Sequence, residues 1–570
     1  MQVMKPTTSK RDFRFGVMDI ESFHWVTPVH IGFFDGIDYL HFRTVKEFLK
    51  FFLQRKYAFW KCFAHFGSGY DFNFIMESLD HDFADLRVKI LSNNGITMLR
   101  IDAPQDNTAY TWTFLDSHRL LPRSLRDLSI SFDVEHKKKE LDRANLHLYP
   151  PEVVMEYLEY DCKGLYEILK KFQSWFSGAD VPLKATIGSQ AMSLYRKKMP
   201  FPLKTLPPKI EEFIRRGYFG GRTEIFKMLC LEDFYYYDVR SLYPHVMVKY
   251  PMPVGSPHLV DRYEEGSHGF YHAEIRMPDI YIPVLPLLRI QKLLFPKGSF
   301  SGVYSSLEIE AAIKLGAEVN VSSGYIFPTD FIFNDYVRKM YRLKESSDNT
   351  TKLIAKLLLN SLYGKFGQGR IKEYLIRTNQ LEDIIGAKPY IREINLFTKE
   401  NISRANFIIP SIAAWITSAA RVELLNWLLK AGEDHVYYCD TDSVMTTRRL
   451  PEGDRLGDLK LEMKGKQAVF LQPKVYAIIT NEDTLIAKVK GFEREFVKTL
   501  VFDAFESALK GDTHAFHQEL KRFGRMKECL RRQGNFVSML TKKKSLCSSY
   551  DKRIVLEDYD TEPVTIGIMP

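Results

Sequence analysis

The stretch Val436-Tyr437-Tyr438-Cys439-Asp440-Thr441-Asp442-Ser443-Val444-Met445 decides the reading of this 570-residue chain. An apolar and aromatic run leads into two aspartates that flank one threonine, and Val444 and Met445 lead out. That is the pattern of strand, tight turn, strand, with both carboxylates at the tip. Carboxylates held this close repel one another unless a cation sits between them. Hard oxygen ligands on a short turn suit Mg²⁺, which takes one or two protein carboxylates together with substrate phosphates. Asp is a preferred turn residue, so the weight of the pair comes from its company.

Upstream, Phe234 to Tyr237 form a strand-like aromatic run that ends in Asp238-Val239-Arg240-Ser241-Leu242-Tyr243-Pro244. Asp238 and Asp442 together suit two metal ions roughly 3.5–4 Å apart, the arrangement for in-line displacement at phosphorus. Between them lies Lys356-Leu-Leu-Leu-Asn360-Ser-Leu-Tyr363-Gly364. The segment from Leu353 to Tyr363 lacks Gly and Pro and reads as helix, with Lys352, Lys356, Asn360 and Tyr363 on one face. Lys344 adds a further cation. A triphosphate needs such cations, and a base needs a flat apolar surface.

These segments, in this order, resemble motifs A, B and C of family-B DNA polymerases. Tyr218-Phe-Gly220-Gly221-Arg resembles the family's Tyr-x-Gly-Gly linker, Thr417-x-x-Ala-Arg421 its Thr-x-x-Gly-Arg motif with Ala420 in place of Gly, and Lys474-Val-Tyr476 its Lys-x-Tyr motif. The short chain and the long insert between motifs A and B are similar to the protein-primed branch, whose members replicate linear phage or plasmid genomes capped by a terminal protein. The N-terminal third resembles a 3′–5′ proofreading exonuclease: Asp19-Ile-Glu21 as its first motif, Asp71 as its second, Tyr157-x-x-x-Asp161 as its third. The second motif usually has Asn about five residues before its Asp; here that position is Phe66. Ser117 and the stretch Ser124 to Leu128 both resemble the single-strand-binding motif. Lys138 is a candidate exonuclease lysine, set against a solvated Lys137–Lys139 run.

The fold the resemblance implies is α/β and α+β multidomain. An RNase H-like exonuclease domain (1–180) precedes a right-hand polymerase domain (181–570). The latter has its palm around 210–250 and 410–475, insert 1 at about 250–341, fingers at about 335–366, insert 2 at about 367–408 and thumb at about 477–570. The implied activity is template-directed DNA synthesis with proofreading and strand displacement. Asp238, Asp442 and the Val239 carbonyl would bind Mg²⁺ (two per site, or Mn²⁺), supported by Asp440. Lys344, Lys356 and Asn360 would hold the nucleotide, Tyr363 would stack on the base pair, and Tyr243 would exclude a ribose. Lys474, Tyr476, Tyr218, Gly220, Gly221, Thr417, Arg421 and Ser117 would contact DNA. Asp19, Glu21, Asp71 and Asp161 would bind the exonuclease metals, with Tyr157 orienting the water. Implied partners are template and primer DNA, dNTPs, a terminal protein docking on insert 1 and a single-stranded-DNA-binding protein, with the chain itself a monomer. A polymerase that starts without a protein primer, a nuclease with a degenerate polymerase half, and a non-catalytic nucleic-acid-binding protein are the alternatives.

Composition agrees. A formal charge of +9 suits a phosphate partner, and abundant Tyr and Phe can stack on bases. Arg531, Arg532 and Lys542 to Lys544 would grip duplex backbone in the thumb. Six scattered cysteines form no Cys-x-x-Cys pair, which excludes a locally spaced zinc or iron–sulfur site and suits free thiols. No stretch reaches the roughly 20 apolar residues of a membrane span, and the N-terminus has no apolar signal core. The expected location is the host cytoplasm.

Overall fold

The computed structural model describes residues 2–6, 14–92, 96–105, 108–546 and 549–567; Cys547 lies outside them. The N-terminal region builds a sheet from β1 (Phe15–Phe23), β2 (Thr27–Phe34), β3 (Tyr39–Phe42), β4 (Lys61–Ala64), β5 (Arg87–Ser92), β6 (Ile96–Gln105) and β7 (Thr108–Asp116). β4 runs parallel to both β1 and β7, and the other neighbours are antiparallel. β1 is buried along nearly its whole length, as a central strand covered on both faces must be. One layer comprises α1 (Asp71–Asp82). Another is the long α2 (Pro151–Trp175), which starts with Pro at its first position and packs on β1 and β2. The chain then turns through Ser177–Ala179 and Asp180, the expected end of this region.

The middle of the chain supplies β8 (Thr223–Ile225), β9 (Phe234–Val239) and α3 (Leu242–Lys249). β10 (Gly269–Met277), β11 (Lys297–Ser305), α4 (Ser306–Lys314) and β12 (Glu318–Ile326) follow. α4 starts on a Ser305 cap that accepts from Glu308 N and stops before Gly316 at φ +88°. Next come α5 (Asn334–Lys344) and α6 (Asn349–Ser361). α6 begins four residues before the expected Leu353 because Asp348 caps it, accepting from Thr350 N and Thr351 N.

Three strands follow, β13 (Ile371–Arg377), β14 (Lys388–Ile391) and β15 (Leu396–Ile402). β13 pairs antiparallel with β5, Tyr374 opposite Leu91 and Arg377 opposite Val88. Insert 2 therefore continues the N-terminal sheet, whose order is β14-β15-β13-β5-β6-β7-β4-β1-β2-β3. Leu375 and Leu396 sit in the same core as β1 and α1. The apolar residues that the sequence shows in the insert are what weld it there.

α7 (Pro410–Ala431) is buried almost all round, as a helix inside a large core must be. It leads into β16 (Val436–Asp440), β17 (Ser443–Thr446), β18 (Leu459–Gln472), β19 (Val475–Thr480) and β20 (Leu485–Val489). Together with β8 and β9 they form the second large sheet, in the order β8-β16-β17-β9-β18-β19-β20. The expected thumb boundary at 477 thus cuts β19: hydrogen bonding carries the palm sheet on to Val489. Beyond it lie β21 (His517–Phe523), α8 (Met526–Gln533) and β22 (Met539–Ser545). The final strand β23 (Thr565–Ile566) pairs parallel with β11, so the end of the chain closes the sheet of insert 1. The five cysteines among the described residues are buried and free. No helix among the described residues is long and apolar enough to cross a membrane.

Candidate active sites

The turn between β16 and β17 holds Asp440, Thr441 and Asp442, with Thr441 in the left-handed region at φ +63°. Asp238, near the end of β9, lies opposite Ser443, and Val239 N donates to Asp442 O at 2.7 Å. Two segments 200 residues apart in sequence thereby bring Asp238 beside Asp442. Burial, then the charges of Asp442 and Glu462, push the Asp238 carboxyl up to about 6, against the pull of Lys460 and Lys356. Burial and Asp440 likewise raise Asp442. Two half-buried carboxylates that resist joint ionisation form a hard oxygen donor set that a divalent cation would relieve, so the residues fit Mg²⁺ or Mn²⁺. Asp440 differs. It pairs with Lys474 Nζ at 3.3 Å and accepts from Thr223 Oγ1 and Thr441 Oγ1, both at 3.2 Å. The protein itself balances that charge.

Lys352, Lys356 and Asn360 are exposed on α6, and the Lys356 charge acts on Asp238. Lys344 Nζ, at the end of α5, donates to Ser241 Oγ at 2.8 Å. Burial, then Lys356 and Arg240, hold its pKa below the usual lysine range. Cations crowded in this way attract a polyanion. The Tyr243 and Tyr363 rings stack with centroids 4.4 Å apart and planes 22° apart, making one flat aromatic wall beside Asp442.

The linker loop abuts the turn. Thr441 N donates to Arg222 O at 2.7 Å, and a Cβ on Gly221 would lie 2.9 Å from Thr441 Cγ2. Gly220 has open space, and Tyr218 packs on Gly367. Several of the residues expected to contact DNA are buried among protein partners here. Arg421 is buried, ion-paired to Glu308 Oε1 at 2.7 Å, and donates to Phe219 O and Gly220 O at 2.8 Å. It holds the linker loop. Thr417 is buried and donates to Ala414 O within α7. Tyr476 is buried against Tyr438 and Phe470. Ser117 is fully buried and donates to Ala64 O, whereas Ser124 is exposed and caps a helix over Leu125–Ser131. Of these sequence candidates only Lys474 keeps an exposed head beside the turn. Thr223 and Glu308 were missed, since each acts on a residue that only the tertiary fold brings near.

At the other sheet, Asp19, Glu21 and Asp161 place one carboxylate oxygen each within 4.8 Å of one another. Asp71 Oδ1 accepts from Ile20 N at 3.0 Å, which ties α1 to β1 beside that cluster. Lys138 Nζ donates to both Tyr157 OH and Asp161 Oδ2 and lies 4.1 Å from the Tyr157 ring centroid. Lys138 thus belongs to this cluster rather than to a solvated run, and the Tyr157 hydroxyl is engaged by it. The Tyr70 hydroxyl bonds Ser22 Oγ. Three clustered carboxylates with a fourth adjoining again make a hard donor set suited to Mg²⁺ or Mn²⁺.

The chain matches the family described as DNA polymerase type B, organellar and viral, over residues 53–149 and 152–453. A "Probable DNA polymerase" of Ascobolus immersus is 27% identical over 501 residues, which cover 74% of this chain and 41% of that one. The "DNA-directed DNA polymerase" of Enterobacteria phage PRD1 is 27% identical over 455 residues, 75% of each chain. The chain spans about half the length of the fungal relatives it matches, 40–53%. In fold it is similar to Phi29 DNA polymerase complexed with primer-template DNA and incoming nucleotide substrates, at a TM-score of 0.74 and 19% identity, covering 94% of this chain and 100% of that one.

Proposed function

The chain belongs to the organellar and viral type B DNA polymerases, and from that membership we propose that it is a template-directed DNA polymerase with a separate 3′–5′ exonuclease site. The observation that carries the reading is the meeting of Asp238 and Asp442 in front of exposed Lys356 and the Tyr243–Tyr363 wall.

Asp238, Asp442 and the Val239 carbonyl would hold two magnesium ions. The chemistry bound metal supplies there is Lewis-acid stabilisation of the attacked α-phosphate and the leaving pyrophosphate. The chain's own residues do the rest. Lys344, Lys356 and Asn360 bind the triphosphate. Tyr363 stacks on the nascent base pair, and Tyr243 closes the space a 2′-hydroxyl would need. Lys474 supports the primer end and neutralises Asp440. Gly220 and Gly221 give the backbone close approach, and Arg421 holds that loop from behind. At the second site Asp19, Glu21, Asp71 and Asp161 would hold the metal that assists hydrolysis, while Lys138 orients Asp161 and Tyr157.

Insert 1 docks a terminal protein whose hydroxyl serves as the first primer, and insert 2 with the thumb encloses DNA and parts the downstream strand. The contact that supports this is lateral. Lys527 on α8 pairs with Glu373 on β13 at 2.7 Å, and the Tyr390 ring receives the Arg531 guanidinium 5.6 Å from its centroid.

Primer extension on a defined template, with Mg²⁺ and with a chelator, tests the reading. Extension that needs Mg²⁺ and disappears in Asp442→Ala supports it. Binding without extension would leave a non-catalytic DNA-binding protein, and degradation alone a nuclease.

A further inference from the structure

Phe66 is a bulky residue in the left-handed region, at φ +65°, and is 56% exposed. A Phe gains nothing there from the backbone and buries little, so something must impose the conformation. Asp116, itself 1% exposed, does so: it accepts from Phe66 N at 2.9 Å, Ser68 N at 3.3 Å and His118 N at 2.9 Å. The ring is held as firmly. It lies so close over Gly69 that a Cβ there would be 2.6 Å from Phe66 Cε1, and it meets the His118 ring edge-on, centroids 5.3 Å apart at 87°. The result is a rigid aromatic face turned to solvent.

Its place in the fold is as specific. Phe66 follows β4, whose parallel pairing with β1 (Phe15 with Lys61, Val17 with Phe63) points the end that carries Phe66 toward the Asp19 end of β1. Crevices at the carboxyl ends of parallel strands are where α/β sheets receive ligands. The next turn delivers Tyr70 and Asp71 to β1, and Lys138, the partner of Asp161, is among the charges His65 feels. Trp25 stands edge-on to Tyr70 across the other side, centroids 6.2 Å apart. Phe66, Tyr70 and Trp25 thus sit on the segments that adjoin the carboxylate cluster, and of the three Phe66 is the exposed one.

We propose that Phe66 is a stacking platform for the unpaired 3′-terminal base of single-stranded DNA entering the Asp19–Glu21–Asp161 site, at the position where the resembling polymerases carry asparagine. An aromatic ring stacks on any base and more extensively on a purine, so this chain reads terminal base size rather than a hydrogen-bonding edge. The proposal rests on the exonuclease reading above.

The test uses the full chain in chelator, so that nothing is cleaved, with single-stranded oligonucleotides carrying 3′-terminal 2-aminopurine. The wild type is expected to quench the terminal fluorophore. Phe66→Leu and Phe66→Asn should lose the quench and weaken binding about tenfold, while Phe66→Tyr retains both. With Mg²⁺ restored, the two weakened variants should show a higher KM on single strands at nearly unchanged kcat, and a smaller preference for purine termini. Asn tolerates the left-handed region better than Phe does, so unchanged thermal unfolding of Phe66→Asn confirms a folded protein. Equal quench and equal KM in wild type and Phe66→Leu overturn the platform. A wild type that quenches through Phe66 yet removes no nucleotide keeps the platform and removes the exonuclease reading instead.

Discussion

Gly221 and Thr441 touch at a distance that leaves no room for a methyl group: a Cβ on Gly221 would stand 2.9 Å from Thr441 Cγ2 and 3.0 Å from Thr441 Oγ1. Thr441 cannot easily retreat, because its left-handed turn is pinned by the bond from its N–H to Arg222 O. Gly221→Ala should therefore displace Asp440 and Asp442 and cut nucleotide addition by about tenfold or more, since misplacing a reacting group by about 1 Å is that costly. Single-strand degradation should be unchanged. Adding Thr441→Gly, which removes the clashing atoms and suits φ +63°, should restore part of the lost rate. Absence of any rescue in steady-state assays would show that the glycine serves something other than this contact.

The two carboxylate sets lie on different sheets, so they should fail independently. Asp442→Ala should abolish extension and leave 3′–5′ degradation intact, and Asp161→Ala should do the reverse. Loss of both activities in either folded variant, judged by circular dichroism, contradicts the two-site arrangement.

Tyr243 should govern sugar choice. Tyr243→Val should raise ribonucleotide incorporation relative to deoxyribonucleotide, measured as the ratio of kcat/KM values. The substitution also removes the ring on which Tyr363 stacks, so KM for both sugars should rise. A rise in KM with unchanged discrimination would leave Tyr243 only as a support for Tyr363.

Metal affinity at the polymerase turn should follow the proton on Asp238. Its folded pKa is raised by burial and by Asp442 to about 6. The proton-bound form is thus favoured in the folded metal-free state, and the stability this confers is lost as pH rises through 6. A cation requires the ionised form, so apparent Mn²⁺ or Mg²⁺ affinity should fall about tenfold per pH unit below 6 and level off above it. Calorimetric titrations at pH 5.0, 6.0 and 7.5 measure this. Asp238→Asn should flatten the pH dependence, and a wild type whose affinity is the same at all three values would exclude Asp238 as the titrating ligand.

What the sequence disclosed and what it withheld divide on a physical line. Asp238, Asp442, Lys356 and Tyr363 sit on short segments whose residue types and spacing state their chemistry locally, and the fold brings them together. Arg421 reads as a DNA ligand because an arginine looks the same in sequence whether it meets a phosphate or a buried glutamate. Its partner, Glu308, lies 113 residues away. Tyr476 and Ser117 mislead for the same reason, since aromatic and hydroxyl side chains serve cores as readily as ligands. The helix through Lys356 and Asn360 was legible but its bounds were not: it stops at Ser361, with Tyr363 opening a separate short helix, and Asn349 and Thr350 are weak helix formers that owe their place to the Asp348 cap.

The lateral contact between thumb and insert 2 should matter only when DNA must be kept enclosed. Tyr390→Ala combined with Glu373→Ala removes the ring that Arg531 faces and the partner of Lys527. Filling a one-nucleotide gap should proceed at the wild-type rate, while products copied through a downstream duplex should shorten several-fold on a gel. Equal product lengths would show that this contact plays no part in holding DNA.

The pairing of β13 with β5 also sets a schedule for the ribosome. β5 emerges with one edge open, and the strand that covers it is translated roughly 280 residues later, which at about 5–20 residues per second is a wait of roughly 15–55 s. Through that interval Val88 and Ile90 stand in a sheet whose neighbouring Leu375 and Leu396 do not yet exist. Nascent chains that stall between the two strands carry an unprotected edge of the kind that templates aggregation. The yield of folded protein should therefore depend on holdase chaperones acting on the N-terminal third, and pausing codons placed between Ser92 and Ile371 should lower that yield even though no residue of either catalytic site is altered.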